Sequence, residues 1–156
     1  MKTFQKSLTL LLISLVTVVS ADTSLTAFSS RWDTDNAGEG DGYGGRFKTT
    51  FLAVGAVEAR GSVIEMDDED TTLYPFDFSL NVRIPFIISP YAGVGVGYTL
   101  VDSSSRNRDD MTTLHAHVGL EATFIWFGVM AEVRVQDAED DDFDGTNYNL
   151  GVLFTW

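Results

Sequence analysis

Tyr148-Asn149-Leu150-Gly151-Val152-Leu153-Phe154-Thr155-Trp156 is the stretch whose reading decides the fold. Large apolar groups stand at Tyr148, Leu150, Val152, Phe154 and Trp156, and smaller or more polar residues mostly fill the places between. A period of two is the repeat of an extended strand, whose successive side chains leave on opposite faces. A strand that alternates this way and ends on an indole fits a sheet whose outer face meets lipid, with the last ring at the membrane–water boundary. One strand proves little, so the reading depends on finding the pattern elsewhere.

It recurs along the chain. The alternation predicts eight strands, at about Ser24–Asp33, Tyr43–Phe51, Val54–Glu65, Thr72–Ile84, Tyr91–Val101, Thr113–Phe124, Phe127–Gln136 and Thr146–Trp156. β-Branched and aromatic residues at period two argue strand over helix. The fourth is the cleanest: Tyr74, Phe76, Phe78, Leu80, Val82 and Ile84 face one way, and Pro75, Asp77, Ser79, Asn81 and Arg83 the other. The first is the least regular, and Phe28 and Trp32 are its expected outward residues.

The connections alternate in kind. Those near Leu52, at Pro85–Pro90 and at Ile125-Trp126 are short or apolar. The others are the acidic stretches Asp33–Asp41, Asp67–Asp70, Asp102–Asp110 and Asp137–Asp144. In an up-and-down meander successive connections fall at opposite ends, so one end is acidic and the other tight. Transmembrane barrels have this asymmetry, with short periplasmic turns and longer outer loops. The expected fold is all-β, an eight-stranded antiparallel up-and-down transmembrane β-barrel.

The front of the chain agrees. Lys2 and Lys6 precede a mainly apolar run, Leu8–Val19, and Val19-Ser20-Ala21 offers small residues to a peptidase. Residues 1–21 therefore read as a cleaved secretory signal, which leaves residues 22–156 as one barrel domain. Cys is absent, so stability must come from a core or a closed hydrogen-bonded sheet. Formal net charge is −13. That excludes nucleic acid as a natural partner, because phosphate binding needs clustered Lys and Arg.

Two faces decide between a membrane barrel and a soluble one. Phe47, Val57, Phe76, Leu80, Val94, Val96, Leu114, Val118, Leu120, Val129, Val133, Leu150 and Phe154 share a face without charge. The other face carries Arg46, Lys48, Glu58, Arg60, Asp77, Arg83, His115, His117, Glu121, Glu132 and Arg134. Large apolar residues would overfill the interior of an eight-stranded barrel, which has room only for packed side chains. In the fifth strand Gly93, Gly95 and Gly97 stand opposite Val94, Val96 and Tyr98. Glycines inside make room for long charged neighbours, so the charges are expected in the lumen and the valines in lipid.

Tyr43-Gly44-Gly45-Arg46, Val57-Glu58-Ala59-Arg60-Gly61 and Pro90-Tyr91-Ala92-Gly93-Val94-Gly95-Val96-Gly97-Tyr98, with Trp156, resemble the outer-membrane β-barrel domain of small porin-like proteins of Gram-negative bacteria. The resemblance covers nearly the whole mature chain. It implies an outer-membrane location, no common enzymatic activity and roles too diverse to transfer. It also implies that the barrel assembly machinery reads Tyr148, Leu150, Val152, Phe154 and Trp156 as a C-terminal signal. Outer-membrane lipid and lipopolysaccharide are the other expected partners, and a monomer the expected state.

Three constellations could carry chemistry. The first is the lumen set Arg46, Lys48, Glu58, Arg60, Asp77, Arg83, Glu121, Glu132 and Arg134, five cations and four acids. Near balance in a confined space predicts paired charges filling the barrel, because an unpaired buried ion is costly. A narrow ion or water path is the competing reading. The second is His115 and His117 with Glu121, for which Ser79 or Ser62 would have to supply a nucleophile; neither lies in a recognisable motif. The third is Asp140, Asp142 and Asp144 before Gly145, whose alternate carboxylates could hold Ca²⁺ or Mg²⁺ weakly and bridge to lipopolysaccharide. The closing glutamate of a full calcium loop is missing, since Gly151 stands there. No other cofactor is expected. The chain reads first as a structural or surface-interaction barrel with acidic outer loops, second as a narrow porin-like channel, and third as a lipid-modifying enzyme.

Overall fold

The computed structural model describes residues 22–67, 71–103 and 110–156. The signal segment, residues 68–70 and residues 104–109 lie outside them, and with these go parts of two acidic stretches. Eight strands form a closed barrel: β1 Thr23–Thr34, β2 Glu39–Phe51, β3 Gly55–Met66, β4 Thr71–Arg83, β5 Ile88–Ser103, β6 Met111–Phe124, β7 Phe127–Ala138 and β8 Gly145–Thr155. Every neighbouring pair is antiparallel, and β1 closes the barrel against β8 from Ser24 opposite Thr155 to Thr34 opposite Gly145. The predicted strands are all present. Their ends move by a few residues, most at the acidic end, where β2 begins at Glu39 and β5 runs to Ser103.

The faces fall as the alternation requires. All thirteen residues of the expected apolar face are exposed on the outer wall, from Phe47 to Phe154. Of the charged face, Arg46, Lys48, Glu58, Arg60, Asp77, His115, His117, Glu121, Glu132 and Arg134 are buried, and Arg83 is half-buried. The glycines of β5 do open space. A Cβ on Gly93 would lie 1.8 Å from Asn81 Oδ1, one on Gly95 2.5 Å from His115 Nε2, and one on Gly97 2.2 Å from Asp77 Oδ1.

The first strand corrects its expectation: Phe28 and Trp32 point into the lumen. Neither face of β1 is cleanly apolar, since Thr26, Ser30 and Thr34 accompany the two rings and Ser29, Arg31 and Asp33 oppose them. The cross-strand neighbours settle the choice. Phe28 stands between Gly44 and Gly151, where a Cβ would come within 2.5 Å and 2.9 Å of it.

Trp32 belongs to a plug. With Ala37, Ile64, Met66, Leu73, Met111, Ala138 and Phe143 it forms the largest buried apolar cluster, and it sits at the acidic-loop end of the lumen. The Trp32 and Phe143 ring centroids are 6.2 Å apart. A smaller cluster, Phe28, Met130 and Leu153, lies nearer the tight turns. Between them the interior is polar.

Candidate functional site: the lumen

Five strands supply the central charges. β2 brings Arg46 and Lys48, β3 Glu58 and Arg60, β4 Asp77 and β7 Glu132 and Arg134, while β6 adds Glu121. Period-two spacing aims each at the axis, and the curvature of a closed sheet brings distant strands within reach.

The pairing is dense. Glu132 accepts from Arg60 at 2.8 and 3.0 Å, from the Tyr91 hydroxyl at 2.8 Å and from Asn149 Nδ2 at 3.2 Å. Glu58 accepts from Arg60 at 2.9 Å and from Asn81 at 3.1 Å, and lies 3.5 Å from Arg46. Glu121 joins Arg46, at 2.6 Å, to Lys48. Arg134 donates to Asp77 at 2.7 Å. Arg60 also stands 4.8 Å over the Phe28 ring. Each acid thus has a cation, which is the condition for burying both.

Spacing does not fix the partners. Glu132 and Arg134 stand two apart on one face of β7, yet their nearest approach is 3.8 Å, and the close partners are Arg60 for Glu132 and Asp77 for Arg134. Glu58 and Arg60, also two apart, do meet at 2.9 Å, so spacing on a strand permits a pair without fixing it, and the facing wall decides. Tyr91, Asn81 and Asn149 complete the network and were not singled out from sequence. For Tyr91 a signal exists: it pairs with Gly119, where a Cβ would lie 2.5 Å from the phenol ring.

The histidines sit beside this network. Ser79 Oγ and His115 Nε2 are 3.0 Å apart, and His115 Nδ1 is 4.0 Å from Asp77 Oδ1. The order resembles nucleophile, base and acid. All three are buried in the lumen below the plug. Among the described residues Ser62 makes no hydrogen bond to either histidine, and His117 Nε2 meets Asn81 Oδ1 at 2.6 Å. Glu58, His117 and Glu132 are the one group of three possible metal ligands that converge among the described residues. Arginines already neutralise both of its carboxylates.

The aspartate loop caps its own backbone. Asp140 accepts from the Asp142 N–H at 3.2 Å and starts a 3₁₀ turn, Asp141–Phe143. Asp144 Oδ1 accepts from the Ala138 N–H at 2.7 Å. Backbone bonds from Asp35 to Asp144 and from Ala37 to Asp142 tie the turn to the β1–β2 loop. The motif folds a lid that drives Phe143 into the plug, and Asp140, Asp142 and Asp144 do not form a three-carboxylate group.

A closed eight-stranded antiparallel barrel has counterparts among solved structures. OprG of Pseudomonas aeruginosa aligns at a TM-score of 0.72 with 15% identity, covering 88% of this chain and 96% of that one. This chain folds as a small outer-membrane β-barrel. Neisserial surface protein A aligns at 0.66 with 12% identity, over 87% and 97% of the two chains. The N-terminal barrel domain of OprF from Pseudomonas aeruginosa aligns at 0.64 with 22% identity, over 88% and 100%. No family model and no curated protein matches the sequence. At these identities the likeness concerns the fold alone, and the barrel's role rests on its own residues.

Proposed function

We propose that this chain is an outer-membrane barrel with a structural or surface-interaction role, carrying its acidic loops on the outer face, and that it is neither a channel nor an enzyme. The observation that carries the reading is the double closure of the lumen. The apolar plug around Trp32 and Phe143 occludes the loop end, and the paired network from Asp77 to Glu121 fills the middle. An ion on the axis would have to displace one salt bridge after another and then cross an apolar layer. Buried pairs of this kind are strongly destabilised when one partner is lost, so they do not open cheaply.

The surface then carries the function. The loop end presents Asp35, Glu39, Asp41, Asp67, Asp102, Asp110, Glu139 and Asp141 outside the plug, a field suited to basic segments of a partner. The outward row Tyr148, Leu150, Val152, Phe154 and Trp156 would be the surface that the assembly machinery reads. Single-channel recording of the refolded protein in a planar bilayer tests the main reading. Electrical silence is expected. A steady conductance would refute it and establish the channel.

A further inference from the structure

The lumen has five cations for four acids, and the structure identifies the one left over. Arg46, Lys48, Arg60 and Arg134 each meet a carboxylate. Arg83 meets none among the described residues. Its guanidinium reaches only hydroxyls, Thr50 Oγ1 at 3.3 Å and Ser89 Oγ at 3.4 Å, and its buried Nε has no partner. Arg83 lines a cavity of about 240 Å³ at the mouth on the tight-turn side, together with Ser24, Lys48 and Thr123.

The rim of this cup is apolar. Phe86, Ile125 and Trp156 line the same cavity, and all three are largely exposed. Ile125 is 92% exposed and holds a left-handed φ of 57°. A β-branched residue is disfavoured there, and tight hairpin turns ordinarily take Asn or Gly. An apolar side chain at the turn tip, kept against that preference, points to an apolar surrounding. The tip is also continuous with the lipid-facing wall: Trp126 lies 5.6 Å from both Phe127 and Phe154 by ring centroids.

We propose that the tight-turn mouth binds a phospholipid of the adjoining leaflet, with its phosphate on Arg83 and its acyl chain over Phe86, Ile125 and Trp156. The volume suits a headgroup phosphate and excludes the chain, which stays on the rim. The Nη groups of Arg83, held only by two long hydroxyl contacts and by no carboxylate, are donors that a phosphate can accept from. Two acids face the site. Glu121 is held between Arg46 and Lys48, and Asp22, exposed at the edge of the same cavity, sets a negative charge that opposes an incoming phosphate. A free inorganic phosphate would use the cation and leave the rim idle, so the two sources separate by experiment.

The mature protein, refolded in maltoside micelles, is titrated with lysophosphatidylglycerol, with a monoacylglycerol of equal chain length, and with inorganic phosphate. Native mass spectrometry reads lipid retention, and the backbone amide resonances of Arg83 and Ser89 read occupancy for all three probes in every variant. Lysophosphatidylglycerol is expected to bind at least tenfold more tightly than either control. Arg83→Gln should weaken it about tenfold, the loss of one charge-assisted contact. Asp22→Asn should tighten it several-fold, and this variant decides the matter if Arg83→Gln does not fold. Arg31→Gln, at the far end, should change nothing. Equal binding of inorganic phosphate, or of the uncharged monoacylglycerol, overturns the proposal. So does an unchanged affinity in Arg83→Gln or in Asp22→Asn.

Discussion

The two ends of this barrel are built on opposite principles. The acidic end hides an apolar plug beneath a charged surface: Trp32, Ile64, Leu73 and Phe143 inside, carboxylates outside. The tight end does the reverse, with Ser24, Lys48, Arg83 and Glu121 inside an apolar rim. One end is made for water and the other for a lipid boundary. The interior closes where the exterior is most polar, because loops long enough to reach across the mouth are also the solvated ones.

The largest effect should come from breaking the plug. Trp32→Ala removes a fully buried indole, a change that costs about 3–5 kcal/mol in a packed core. Denaturant titration in detergent should show that loss, and an unchanged midpoint would mean that the plug is ornamental to stability.

Next comes the network between the ends. Glu132→Gln should cost about 3–5 kcal/mol by stranding Arg60. Adding Arg60→Met should recover part of it, and more than adding Arg134→Met does. The same titration ranks the three variants; equal recovery by either arginine would show that the charges are pooled rather than paired.

The wall supplies the third test. Val96→Arg sets a charge in lipid at about 2–4 kcal/mol near the membrane midplane. A harmless outcome in folding titrations would invert the two faces.

The smallest effect belongs to the tight end. Arg83→Gln breaks no ion pair, so its folding cost should stay within about 1 kcal/mol. A larger loss would make Arg83 a structural member of the network, and the contrast between the two ends would shrink.

The sequence made the wall legible and the cross-lumen partners much less so. In β4 to β8 one face is apolar along the middle of each strand, and the inward and outward sets follow directly from alternation. In β1 polar residues occupy both faces, so the direction of Phe28 and Trp32 depended on Gly44 and Gly151 in neighbouring strands. Pairing across the lumen depends on the stagger of a closed sheet, which no local spacing encodes. Arg60 on β3 meets Glu132 on β7, and Asp77 on β4 meets Arg134 on β7. The aspartate loop was legible as a tight turn, and its backbone caps were not foreseen. Its side chains cap backbone amides, the commoner use of aspartate in a short turn.

Closure of β1 on β8 has a kinetic meaning. The seam joins the first and last strands of the sheet, so its contacts span almost the whole domain. Such distant pairing exacts the greatest loop-closure entropy and forms slowly. Until it forms, β1 and β8 each present an unsatisfied hydrogen-bonding edge, which lipid cannot solvate. Insertion and closure are therefore coupled events, and an arrested intermediate would expose two reactive edges to any neighbouring chain.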